Sequence, residues 1–102
     1  MKEYELYVPL NYNDGTPIEP GKLKRLRVKL LEQFGSLTYF PQRNQGFWKY
    51  GGVTYRDEVV IYRILTNRVP AARRFFLQLK RELMKDLKQE AILIVEKDAA
   101  AL

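Results

Sequence analysis

Tyr4, Leu6, Val8 and Leu10 fall on one side of an extended segment, and Glu3, Glu5 and Tyr7 fall on the other. That period of two predicts a strand with one buried face. Residues 11–17 follow with an Asp-Gly pair and Pro17, which favour a turn. From Pro20 the period lengthens, and Leu23, Leu26, Leu30, Leu31 and Phe34 line up as one apolar stripe at helical spacing. Pro20 suits the first turn of that helix and Gly35 the cap just past its end. Residues 37–40 are apolar and aromatic and predict a second strand, stopped at Pro41 and followed by a loop through Gly46. Phe47-Trp48-Lys49-Tyr50 and Val53-Thr54-Tyr55 flank Gly51-Gly52, a pair able to take positive φ at both turn positions, and predict a β-hairpin. Residues 58–66 read as a strand with apolar side chains on both faces. After a polar turn, Ala72, Phe76, Leu79, Leu83 and Leu87 trace a second helix ending near Lys88 and Gln89. Residues 91–95 predict a last strand, and 97–102 a fraying tail.

The order strand, helix, strand, strand, helix, strand predicts one α+β domain over 1–102, the ferredoxin-like split βαβ (β-α-β-β-α-β). The β-hairpin would be inserted between the middle strands. Both helices then cover one face of an antiparallel sheet. The uncovered face would present Tyr7 with parts of the third and fourth strands, several of them apolar. Pairing of two such faces about a two-fold axis predicts a homodimer through the open sheet face.

Composition narrows the chemistry. With 46% hydrophobic residues the 102-residue chain has enough apolar content for a folded core rather than a disordered segment. No run approaches the roughly 18 apolar residues of a membrane helix, so no membrane partner is expected. Charges in Met1-Lys2-Glu3-Tyr4-Glu5 stand where a secretory segment would be apolar, and the expected location is cytoplasmic. The sequence has no His and no Cys, which removes imidazole proton transfer, thiolate catalysis and the usual zinc sites. No metal ligands and no cofactor motif stand out; Gly51-Gly52 lacks the Lys-Ser/Thr and the strand-to-helix context of a phosphate loop.

Eighteen Lys and Arg against twelve Asp and Glu give a formal charge of +6. The excess sits largely in the two predicted helices, where long basic residues fill solvated faces. The same positions form a candidate phosphate-contacting surface of Arg25, Arg73, Arg74 and Lys80, making nucleic acid a possible but unfavoured partner. Leu6-Tyr7-Val8-Pro9-Leu10 is similar to the first-strand motif of RNA-recognition domains. Arg56-Asp57-Glu58-Val59-Val60-Ile61-Tyr62 lacks the aromatic pattern that the third strand would need.

The densest polar and aromatic group is Trp48, Tyr50, Tyr55, Arg56 and Glu58 around the hairpin. Arg56 with Glu58 could orient a small polar ligand while Trp48 and Tyr55 stack on it. The structural alternative is that Trp48 and Phe47 pin the hairpin to the body or to a partner chain, with Arg56 paired to Asp57 or Glu58 at its base. Asp57 and Glu58 are adjacent and point to opposite faces, so they do not form a carboxylate pair for catalysis.

Glu5-Leu6-Tyr7-Val8, Gly15-Thr16-Pro17-Ile18, Phe34-Gly35-Ser36-Leu37-Thr38, Gly46-Phe47-Trp48, Arg56-Asp57-Glu58 and residues 89–95 are spread over roughly residues 4–96. In these segments the chain resembles a family of small bacterial ferredoxin-like domains of unknown function, some exported as lipoproteins. The resemblance implies a dimeric α+β domain and no reaction. The lipobox Cys of the exported members is missing, so export is not implied. The sequence therefore reads as a homodimeric interaction or small-ligand-binding module, with no catalytic residue assigned. The alternatives are nucleic-acid binding through the basic helices and a small-molecule enzyme of the dimeric α+β type.

Overall fold

A computed structural model describes all of residues 1–102. The elements are β1 (Lys2–Pro9), α1 (Pro20–Phe34), β2 (Thr38–Tyr50), β3 (Val53–Thr66), α2 (Val69–Asp86) and β4 (Leu93–Asp98). The four strands form one sheet in the order β2-β3-β1-β4, antiparallel throughout. That is the α+β, ferredoxin-like arrangement which the element order predicts.

The core lies between the sheet and the two helices. Tyr4, Leu6 and Val8 of β1 and Val60, Tyr62 and Ile64 of β3 are buried on the helix side, as period-two alternation requires. Leu26 and Leu30 of α1 and Ala72, Phe76, Leu79 and Leu83 of α2 meet them, and Leu87 closes the cluster. Phe76 is its hub. Its ring stacks on Tyr4 at 4.3 Å between centroids and on Phe34 at 5.2 Å. Leu31, counted in the predicted α1 stripe, lies at its edge and is exposed. Gly35 at φ 77° caps α1, and its amide donates to the Leu31 carbonyl at 2.8 Å.

Four expectations change. Pro41 does not end β2, which runs on to Tyr50. β2 is an edge strand, and its ladder to β3 shifts between Phe40 and Asn44, so the proline falls in an irregular stretch where no inward N–H is required. The hairpin is therefore not a separate insertion but the far end of β2 and β3. It is paired without a break from Asn44 opposite Val59 to Tyr50 opposite Val53, and is closed by Gly51 at φ 58° and Gly52 at φ 77°. β4 lies further along than residues 91–95 because Lys97 and Asp98, expected in the tail, pair with Glu3 and Lys2 of β1. Opposite charges face each other across that ladder, with Lys2 Nζ 2.6 Å from Asp98 Oδ1. α2 ends at Asp86, slightly earlier than expected; the Leu87 and Gln89 amides donate back to the Leu83 and Met84 carbonyls.

Candidate functional site

The face of the sheet turned away from the helices has no cover. Register places Glu3, Glu5 and Tyr7 of β1 beside Leu65, Arg63 and Ile61 of β3 on one flank, and beside Lys97, Val95 and Leu93 of β4 on the other. Phe40 of β2 extends the row beyond Ile61. Four charges meet in the middle. Lys97 Nζ lies 3.0 Å from Glu3 Oε2 and 2.9 Å from Glu5 Oε1, while Arg63 approaches the same carboxylates at 3.6 and 3.8 Å. The Tyr7 hydroxyl donates to Glu5 Oε2 at 3.2 Å, and the Arg63 guanidinium lies over the Phe40 ring at 4.9 Å. Glu3 Oε2 and Arg63 Nε are both buried from solvent and neither makes a well-directed hydrogen bond.

The adjacent Glu3 carboxyl and then the Lys97 ammonium hold the Glu5 carboxyl down at about 2, against burial that acts the other way. A carboxyl whose folded pKa is lowered stabilises the fold above its unfolded value and loses that contribution as pH falls through the folded one. The chain is therefore expected to lose stability as pH drops from about 4.5 towards 2. Glu5→Gln is expected to flatten that part of the profile. Urea midpoints measured across the range check this, and an unchanged slope in the variant would contradict it.

The outer part of the β2–β3 hairpin, residues 44–59, forms an arm. Along it Trp48 pairs with Tyr55, Tyr50 with Val53 and Phe47 with Arg56. Alternation therefore puts Trp48, Tyr50, Val53 and Tyr55 on one face and Phe47, Arg56 and Glu58 on the other. The five candidate ligand residues do not converge: three aromatics share a face, and Arg56 and Glu58 point away from them. The expected partnerships change too. Trp48 stacks on Tyr55 at 4.5 Å and donates from Nε1 to Asp57 Oδ2 at 2.9 Å, while Glu58 pairs with Arg43 at 3.3 Å rather than with Arg56. Neither Phe47 nor Trp48 pins the arm to the chain's own body, since both are exposed. β3 alternates regularly from Val53 to Thr66, so the arm face with Trp48, Tyr50 and Tyr55 continues the uncovered sheet face of Val59, Ile61, Arg63 and Leu65.

The basic helix residues lie on the opposite side of the molecule. Arg73 is held by Glu96 through two hydrogen bonds of 2.6 and 3.0 Å, and so is not a free phosphate contact. Arg25, Arg74 and Lys80 have no carboxylate within 4 Å (no ion pair involves them). The Glu3, Glu5, Arg63 and Lys97 group was not assembled from sequence. Glu3 and Glu5 share one face of β1 by alternation alone, but Lys97 reads as tail until its pairing with Glu3 is known.

The chain is similar to a phage SAM lyase solved in its apo state, with a TM-score of 0.70 and 16% sequence identity over 94% of this chain and 78% of that one. The shared fold is ferredoxin-like. A phage SAM lyase in complex with S-methyl-5'-thioadenosine also matches, with a TM-score of 0.66 and 17% identity over 95% of this chain and 80% of that one. No protein-family model matches the sequence. No curated protein matches it. No helix is long and apolar enough to cross a membrane, and no group of three or more His, Cys, Asp or Glu side chains is arranged to hold a metal ion.

Proposed function

We propose that the chain is a cytoplasmic, homo-oligomeric small-ligand-binding module. It assembles through its uncovered sheet face, with the arm of each copy laid against the next. One observation carries this reading: the uncovered face is rich in apolar and aromatic side chains from Tyr50 at the arm tip to Leu93 at the far edge of the sheet, interrupted at Asp57 and Asn44, and these two ends are 72% and 57% exposed. A soluble monomer rarely keeps a contiguous apolar patch beyond a few hundred Å². The charges on this face support pairing with a like chain. Glu3 and Glu5 balance Arg63 and Lys97, so two copies of a +6 molecule can meet here without bringing net charge together. A two-fold dimer is the simplest closed form.

For the ligand, Trp48, Tyr50 and Tyr55 offer flat surfaces for a planar group held between the arm and the neighbouring copy. One neighbour of the same fold was solved with S-methyl-5'-thioadenosine, and a thioether nucleoside of that class is the ligand to test first. Trp48 is the only tryptophan, so its emission reports on the arm directly. S-methyl-5'-thioadenosine is expected to change that emission saturably. Tyr50→Ala should weaken the apparent affinity by about tenfold, the 1.4 kcal/mol scale of one aromatic contact. Arg56→Ala, on the other face of the arm, should leave it unchanged. No saturable change in an intact assembly would contradict the ligand assignment. Release of S-methyl-5'-thioadenosine from SAM in the same sample would favour the enzyme reading over the binding module.

A further inference from the structure

The helical side of the molecule carries a second feature, independent of the open sheet. α1 and α2 flank a groove of about 630 Å³, floored by Leu26, Leu79 and Leu83 and rimmed by cations. Ten residues line it, among them Lys22, Arg25, Lys29, Lys85 and Lys88, against only Glu82 and Asp86. Two of the cations are already engaged. Lys29 pairs with Glu82 at 2.7 Å, and Lys22 donates to the Asp86 carbonyl at 3.0 Å and to the Tyr12 hydroxyl at 2.9 Å. Arg25, Lys85 and Lys88 have no carboxylate within 4 Å, and they outnumber the one unpaired acid, Asp86.

Lys88 adds a separate observation. It is the only non-glycine residue with positive φ, at 52°, and it occupies the position just past α2 where glycine closes a helix without strain. An L-residue kept in a left-handed conformation is a place to look for a functional reason. Here the conformation sets a lysine at the mouth of the groove, with Nζ 5.6 Å from the Tyr12 ring centre and its carbonyl accepting from Asn13 Nδ2 at 3.3 Å.

We propose that this groove is a binding site for a small anion bearing several phosphates, with Arg25, Lys85 and Lys88 as its contacts. A fork-shaped guanidinium and two mobile ammonium groups suit several phosphoryl oxygens at once. The volume lies in the range of small-ligand sites. From Lys22 to Lys29 the α1 wall is only about 10 Å long at 1.5 Å per residue, which favours a compact anion over a nucleic-acid duplex. The site lies on the opposite side from the proposed assembly face, so it stays accessible in an oligomer and does not rest on that reading.

The test is calorimetric titration with inorganic triphosphate in about 0.15 M salt, where bulk charge is largely screened beyond about 8 Å. Saturable binding by the wild-type chain is expected. Lys88→Gly relieves the left-handed strain and so keeps the fold, yet should weaken binding at least about fivefold; with Arg25→Gln added, the loss should exceed about thirtyfold. Arg74→Gln with Lys80→Gln removes the same charge outside the groove and should leave binding within twofold of wild type. The proposal is overturned if the wild-type chain binds no triphosphate. It is equally overturned if the two double variants lose affinity alike, which would mean net charge alone attracts the anion, or if a short DNA duplex binds with the same dependence on Arg25 and Lys88.

Discussion

Phe76→Ala is expected to be the most damaging single substitution in the core. The ring is 2% exposed, stacks on Tyr4 and Phe34 and meets Phe75 edge-on at 5.4 Å, so helix α2, helix α1 and strand β1 all touch it. Truncation of a buried Phe costs about 3–5 kcal/mol, the lost transfer energy plus the cavity left behind. Domains of this size hold about 5–15 kcal/mol in total. The midpoint of thermal unfolding should fall by roughly 12–40 °C, given about 4–8 °C per kcal/mol. Circular dichroism melts give the comparison, with Leu77→Ala on the exposed side of the same helix as control. A loss below about 1 kcal/mol for Phe76→Ala would mean the three-element stack does not hold the core.

The second large effect concerns assembly. Leu93→Glu places a carboxylate on an exposed residue opposite Tyr7, where an isolated chain tolerates it at little cost. Across a closed interface the same carboxylate loses its water without gaining a partner, a penalty of several kcal/mol. The variant should therefore keep its secondary structure and run as a monomer. Its dissociation constant should rise by at least about a hundredfold, the factor that roughly 3 kcal/mol gives. A variant that assembles as the wild type does would take this face out of the interface.

The parts of the fold written in local periodicity were legible in the sequence. β1, α1 and α2 each repeat apolar residues over enough positions to define a face, and every buried residue of the two helices belongs to a predicted stripe, while the stripe residues Leu23 and Phe34 are half-buried and Leu31 is exposed. The Gly51-Gly52 turn was equally plain, because two consecutive glycines between β-prone runs have few other uses. The misreadings arose where tertiary context overrides a local rule. Pro41 is a strand breaker only if its position must donate inward, and on an edge strand beside a register shift it need not. Lys97 and Asp98 look like tail residues until Lys2 and Glu3 face them across the sheet. The candidate site shows the same limit. Trp48, Tyr50, Tyr55, Arg56 and Glu58 are close in sequence, but a regular ladder separates them onto two faces as soon as the hairpin is extended to Asn44 and Val59. The charged group of Glu3, Glu5, Arg63 and Lys97 was scattered over three strands, and only register brings it together.

The most direct test of the central claim is the mass of the wild-type chain in solution, followed by multi-angle light scattering through a dilution series in moderate salt. A stable multiple of 12.1 kDa is expected, twice that value for the two-fold form, persisting at low micromolar concentration and falling apart in Leu93→Glu. A wild-type chain that stays at 12.1 kDa even at high concentration would contradict it, leaving the aromatic arm and the bare sheet face without the partner proposed here.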